Sequence, residues 1–211
     1  ERGARVRVFD LHAPDDLPDG VEVVQGDVRD RAAVERACAD CAVVHHNVAL
    51  VPLAKDADAF GVVNVDGTQH VLDAARDAGV RKVVHMSSSA VYGVPDHNPV
   101  DERTPPRPQE AYGASKLEAE RRCEAAIARG LDVTIIRPRT IIGRGRLGIM
   151  QVLFEWIRTG RNVPVLGRGD NRYQFVHADD LADACWRAAM RPGATSYNIG
   201  AADFGTMRET L

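Results

Sequence analysis

Two periods alternate along this chain. Short apolar runs at 6–9, 21–24, 42–46, 82–86 and 132–137 predict β-strands, the first ending at Asp10. Stretches with helical spacing at 30–39, 57–78 and 109–129 lie between them. The second is rich in alanine and closes at Gly79, and the third closes at Gly130. Strands that are apolar throughout, separated by helices, predict an α/β fold whose parallel sheet is covered on both faces. The stretch 95–108 holds five prolines and predicts an ordered loop leading into the third helix. Beyond Pro138 the pattern changes. Residues 139–147 are rich in arginine and glycine. After them, 149–159 predicts an amphipathic helix, 163–166 a short strand, 179–189 a helix and 196–199 a strand, while 206–211 predicts the first turn of another helix.

Composition narrows the function classes. A length of 211 residues fits one domain, or one with a small appendage. The net charge of -3 gives no electrostatic basis for binding nucleic acid or an anionic membrane. No apolar run approaches the roughly 18 residues of a membrane span, and the default compartment is the cytoplasm. Cys38 and Cys41 have the C-x-x-C spacing of a redox pair or half a metal site. There is no second such pair, and a helix end running into a buried strand accounts for both thiols, so no metal is expected.

The candidate chemistry lies in two segments, Ser87-Ser88-Ser89-Ala90-Val91-Tyr92-Gly93 and Tyr112-Gly113-Ala114-Ser115-Lys116. A free tyrosine titrates at about 10 and is a poor base near neutrality. A nearby ammonium favours the phenolate, and the i,i+4 spacing puts Tyr112 and Lys116 on one helix face. A serine hydroxyl can polarise the oxygen whose proton the tyrosine takes. Hydroxyl, phenol and ammonium together suit proton transfer coupled to hydride transfer.

Read in order with Val44-His45-His46-Asn47-Val48-Ala49, Asn64-Val65-Asp66-Gly67-Thr68, Ile136-Arg137-Pro138, Phe175-Val176-His177-Ala178-Asp179-Asp180 and Tyr197-Asn198-Ile199-Gly200, these segments make the chain similar to the extended short-chain dehydrogenase/reductases. It resembles their nucleotide-sugar epimerase and dehydratase group. The resemblance implies a Rossmann-like doubly wound parallel sheet. An NAD-binding part would span 1–138, part of a smaller substrate lobe 139–172, a return to the first part 173–200, and the start of a further substrate region 201–211. The family opens with a strand, a Gly-x-x-Gly-x-x-Gly turn and a helix; that motif is not found here, and Glu1-Arg2-Gly3-Ala4 reads as the end of that helix turning into the family's second strand. The opening strand is central in the family's sheet, so an open gap between the two halves is expected. The chain reads as a fragment lacking both ends, with little activity alone.

The resemblance also assigns roles. Asp10 would bind the adenosine ribose and favour NAD over NADP; a plain loop aspartate is the alternative. Asp27 and Val28 would meet the adenine, with helix capping the rival role for Asp27. Asn47, Val48, Ala49 and Pro138 would line the cofactor. Asn64 would lie near it, unless it is bonded within the core. Ser88 would be the catalytic hydroxyl, Tyr112 the acid or base, and Lys116 the group that orients the nicotinamide ribose and tunes Tyr112. Ser88, Ser89, Tyr112, Arg139, Thr140, Arg146 and Arg172 are the substrate-binding candidates; Arg144 and Arg168 are further cations of the same region. His177, Asp179 and Asp180 support the fold.

Three activities are weighed. A dehydratase would carry an Asp-Glu pair where Ser89 and Ala90 stand, which disfavours dehydration. An NAD-dependent sugar-nucleotide epimerase fits the trio, although Tyr173-Gln174 replace the Arg-Asp usual in that group. A reductase or dehydrogenase acting on a non-nucleotide alcohol or ketone tolerates that change better. A non-catalytic binding protein would not require the retained side chains. A homodimer through helices 57–78 and 109–129 is the partner expectation.

Overall fold

The computed structural model describes residues 3–13, 16–51, 59–143, 150–165 and 167–210. Strands β1 (Arg7–Asp10) and β2 (Glu22–Gln25) pair in parallel. Strands β3 (Val43–His46), β4 (Lys82–Met86), β5 (Val133–Pro138) and β8 (Thr195–Ile199) form a four-stranded sheet in the order β3-β4-β5-β8, again all parallel. Among the described residues β1 pairs only with β2, and β3 only with β4, so the two halves present the open edges expected above. Side chains join the halves instead. Phe9 of β1 and Val44 of β3 pack on one core with Val28, Val34, Cys38 and Val71.

Helix α1 (Arg31–Cys38) starts where the Asp30 carboxylate accepts the Ala33 N–H at 3.2 Å, leaving Asp27 outside the cap. At its other end Arg7 donates to the carbonyls of Ala37 and Ala39, satisfying orphan acceptors and complementing the helix dipole. Cys38 ends α1 and Cys41 precedes β3, both as free thiols. The continuous helix expected over 57–78 is divided. A π-helical turn, Gly61–Asp66, leads into α2 (Gly67–Asp77), and 57–58 lie outside the described residues.

Helix α3 (Ala111–Ala128) packs beside α2 on one face of the sheet, where Val83 meets Leu72, Ala75, Cys123 and Ala126. On the opposite face Val84 meets Leu181, Cys185 and Ala188 of α5 (Ala178–Met190). Neighbouring residues of β4 thus face different helices, which is why the strand is apolar without alternation.

The second half departs from expectation in one place. Residues 163–165 form no strand; Pro164 has no N–H to give a ladder. Two short strands, β6 (Thr140–Ile142) and β7 (Phe175–His177), pair in parallel instead. Helix α4 (Met150–Arg158) and the single turn α6 (Met207–Thr210) fall where the spacing predicted helices. Among the described residues no helix is long and apolar enough to cross a membrane.

Candidate active site

Every strand of a parallel sheet ends on the same edge, and ligands of such sheets bind there. The candidate residues follow this rule. Asp10 closes β1, exposed, its carboxylate accepting the His12 N–H at 3.2 Å. Asp27 follows β2 and accepts from the backbone and guanidinium of Arg29, which together hold it below the usual carboxylate range. Val28 is 4% exposed, with its carbonyl accepting from or facing His70 Nδ1 at 3.0 Å. A β-carbon on Gly67 would come within 2.8 Å of its side chain, so the Val28 side chain belongs to the α2 packing surface.

After β3 come Asn47, exposed, and the half-buried Val48 and Ala49. Asn64 sits in the π-helical turn and is buried. Its amide oxygen accepts the Leu50 N–H at 2.8 Å, and its amide nitrogen donates to the Leu50 carbonyl and to Ser115 Oγ at 3.0 Å. Ser115 in turn donates to the Tyr112 carbonyl. Asn64 is thus bonded within the protein, tying the loop after β3 to the first turn of α3.

The catalytic candidates gather at the end of β4. Ser88 is half-buried and caps a 3₁₀ turn, Ser89–Tyr92, its Oγ accepting the Ala90 N–H at 3.2 Å. Helix α3 begins against this turn. A β-carbon at Gly113 would lie 2.6 Å from the Ala90 carbonyl oxygen, an approach only glycine permits. Gly113 adjoins Tyr112, whose half-buried ring meets Phe60 edge-on with centroids 6.1 Å apart. One helical turn later Lys116 is 2% exposed and donates to the Met86 carbonyl at 2.8 Å. Burial lowers its pKa to about 8, against the smaller raising effects of Cys123 and Glu120.

Behind these residues lies a polar network that the sequence reading did not find. Glu120 is buried and accepts Ser87 Oγ and two nitrogens of Arg137. Arg137 also donates to the Tyr92 hydroxyl, which donates to Asn198 Oδ1. The available signal was spacing: Glu120 lies one turn beyond Lys116 on the same helix face. A second omission is the buried pair His46 and His85, opposite each other on β3 and β4 with ring centroids 5.4 Å apart.

At the substrate side Pro138 is buried at the end of β5. Arg139 follows, half-buried, and donates to Ser89 Oγ at 3.1 Å. Thr140 and Tyr173 share a 2.8 Å hydroxyl contact. Arg172 is exposed, near the Phe204 ring. Arg144 and Arg146 lie outside the described residues.

Residues 1–200 match the model of the NAD dependent epimerase/dehydratase family. An uncharacterized protein of Sinorhizobium fredii, y4nG, is 52% identical over 211 residues, covering all of this chain and 53% of its own length. A UDP-glucose 4-epimerase of Mycolicibacterium smegmatis is 33% identical over 75% of this chain and 54% of its own length. A 2-alkyl-3-oxoalkanoate reductase of Stenotrophomonas maltophilia is 34% identical over all of this chain and 67% of its own length. The chain therefore spans about half the length of the first two of these relatives. Among solved structures, MoeE5 in complex with UDP-glucose and NAD superposes with a TM-score of 0.84 at 30% identity, over 99% of this chain and 72% of that one. With its parallel sheet and the match over 1–200, this chain belongs to the NAD-dependent epimerase/dehydratase family.

Proposed function

We propose that this chain is the cofactor-binding part of an NAD-dependent sugar-nucleotide epimerase. The observation that carries the reading is the buried Lys116 ammonium on the Met86 carbonyl, two residues before Ser88 and one helical turn after Tyr112. The residues present suit the cofactor. Asp10 offers an exposed carboxylate for a ribose diol at the end of β1, with Asp27 beside it for the adenine. Lys116 offers an ammonium for the second ribose. Asn47, Val48, Ala49 and Pro138 line the edge between them, and Asn64 acts by holding that loop.

Bound there, NAD would supply the acceptor for a hydride from the substrate carbinol carbon. Ser88 uses its oxygen as acceptor toward Ala90, so its own O–H is available to the substrate oxygen. Tyr112 takes the proton that leaves that oxygen, its phenolate favoured by the charge of Lys116. The C–H bond thus gives up its electron pair, the O–H bond gives its proton to Tyr112, and a ketone remains. Epimerisation requires the keto sugar to turn, so that the hydride would be returned from the cofactor to its other face while Tyr112 returns the proton to the oxygen.

The test is turnover of a nucleotide-sugar panel by the purified full-length protein with NAD, beside its Tyr112→Phe variant. Epimer formation that the variant loses is the expected result; equal activity in the variant would remove the proposed chemistry. A second reading, reduction of a non-nucleotide ketone, is favoured by Tyr173 and Gln174. Tyr173 bonds Thr140 and stacks near Phe175, where the nucleotide-sugar group usually carries Arg-Asp. NAD binding without sugar turnover would select it. A cytoplasmic location, and a homodimer through helices 57–78 and 109–129, complete the proposal; sedimentation of the full-length protein tests the dimer.

A further inference from the structure

Among the described residues, three arginines are not exposed: Arg7, Arg137 and Arg139. Arg7 pairs with Glu22 at 2.9 Å and Arg137 with Glu120 at 2.6 Å. Among the described residues no carboxylate lies within ion-pair distance of Arg139. Its neighbours are neutral: Ser89 Oγ at 3.1 Å, and the Tyr173 ring with its centroid 6.0 Å from the guanidinium carbon. Its backbone N–H is fixed on the Ile199 carbonyl at 2.9 Å. A guanidinium withdrawn from water without a counter-charge is costly. Held at one nitrogen, it keeps further N–H donors in the fork that matches a carboxylate.

We propose that Arg139 binds a carboxylate on the substrate, so that the substrate class is one with an acidic group close to the carbon that is oxidised. The proposal rests on the reading of Ser88 and Tyr112 given above. The position follows from connectivity. Ser89, which Arg139 holds, is the next residue after Ser88, so an anion on Arg139 lies beside the reacting carbinol. The diphosphate of a sugar nucleotide is attached across the ring from such a carbinol and is a poorer fit. Two kinds of molecule share the required chemistry. A nucleotide-linked hexuronic acid carries its carboxylate on the ring carbon next to the 4-hydroxyl. A 3-hydroxy acid carries it one methylene from the carbinol. The first belongs to the epimerase reading and the second to the reductase reading.

The test measures binding by calorimetry to the NAD-loaded full-length protein, using pairs that differ in the acidic group. UDP-glucuronic acid is compared with UDP-glucose, and 3-hydroxyoctanoate with its methyl ester. In one pair the acid should bind about tenfold to a hundredfold more tightly, the range expected for a charge-assisted hydrogen bond. Arg139→Gln should remove that preference in a protein that stays folded by circular dichroism, and Arg139→Lys should keep part of it. The pair that responds identifies the source of the carboxylate. The proposal is overturned if neither acid is preferred by the unaltered protein. It is equally overturned if Arg139→Gln weakens UDP-glucose and UDP-glucuronic acid alike, which would put the guanidinium on the diphosphate. Failure of the underlying site reading shows separately, as full turnover in Tyr112→Phe.

Discussion

Lys116 donates its ammonium to the backbone carbonyl of Met86 across 2.8 Å, one residue past the last β3–β4 ladder pair, His46 with His85. The charge is therefore buried against a dipole, with no carboxylate in hydrogen-bond contact among the described residues, and burial lowers its pKa from 10.5 to about 8.

This sets a pH dependence. In the unfolded chain Lys116 keeps its proton to a higher pH than in the folded one. Between about pH 8 and 10.5 the unfolded state binds more protons, so this group makes stability rise with pH. The buried thiols of Cys38, Cys123 and Cys185, all raised by burial, oppose it above about pH 9. The informative quantity is thus a difference. Urea unfolding from pH 7.5 to 10 should show Lys116→Met losing the rising contribution that the unaltered protein has. Parallel curves would show that Lys116 is not depressed.

His85 is 1% exposed, and neither ring nitrogen has a partner among the described residues. Burial, then the charge of Lys116, lowers its pKa and that of His46, the latter to about 3. Both rings are thus neutral when folded and protonated first when unfolded, so their contribution is present above pH 6.5 and lost as pH falls below it. His85→Phe removes an unsatisfied buried group at similar volume. It should raise stability by roughly 1–2 kcal/mol at neutral pH and flatten the acid side of the stability curve. Chemical denaturation at pH 5 and pH 7 measures both; a destabilised variant at both pH values contradicts the expectation.

Glu120 accepts from Nε and Nη2 of Arg137 and from the hydroxyl of Ser87. Glu120→Ala leaves a buried guanidinium unpaired and should cost about 3–5 kcal/mol. Removing both charges, as Glu120→Leu with Arg137→Met, should cost less than the sum of the two single changes. A double-mutant cycle by urea denaturation reads the coupling. Additive costs would mean the pair does not act as one unit.

Gly113 lets α3 sit on the serine turn. In Gly113→Ala the new carbon meets the Ala90 carbonyl at 2.6 Å, so the helix start must move away from Ser88. Loss of orientation at a reacting centre is amplified in rate. Turnover should fall about 100-fold while the protein stays folded by circular dichroism. A fully active variant would show that the serine turn and the tyrosine helix need not touch.

The sequence determined the strands of the first half and its helices apart from the π-helical turn Gly61–Asp66, because apolar runs and helical spacing record burial locally. Its motifs also placed Ser88, Tyr112 and Lys116 at strand and helix ends. Tertiary structure decided the rest, since it depends on contacts between residues far apart in the chain. Glu120 meets Ser87 and Arg137 only when α3 lies over β4 and β5. The Val28 side chain is covered because Gly67 of α2 packs on it. The strand expected at 163–166 gives way to pairing of Thr140–Ile142 with Phe175–His177. Arg139 was one of several arginines in the sequence; only folding half-buried it beside Ser89 with no counter-charge among the described residues. A linear pattern shows which residues leave water, but the partner each one finds there is set by the packing of distant segments.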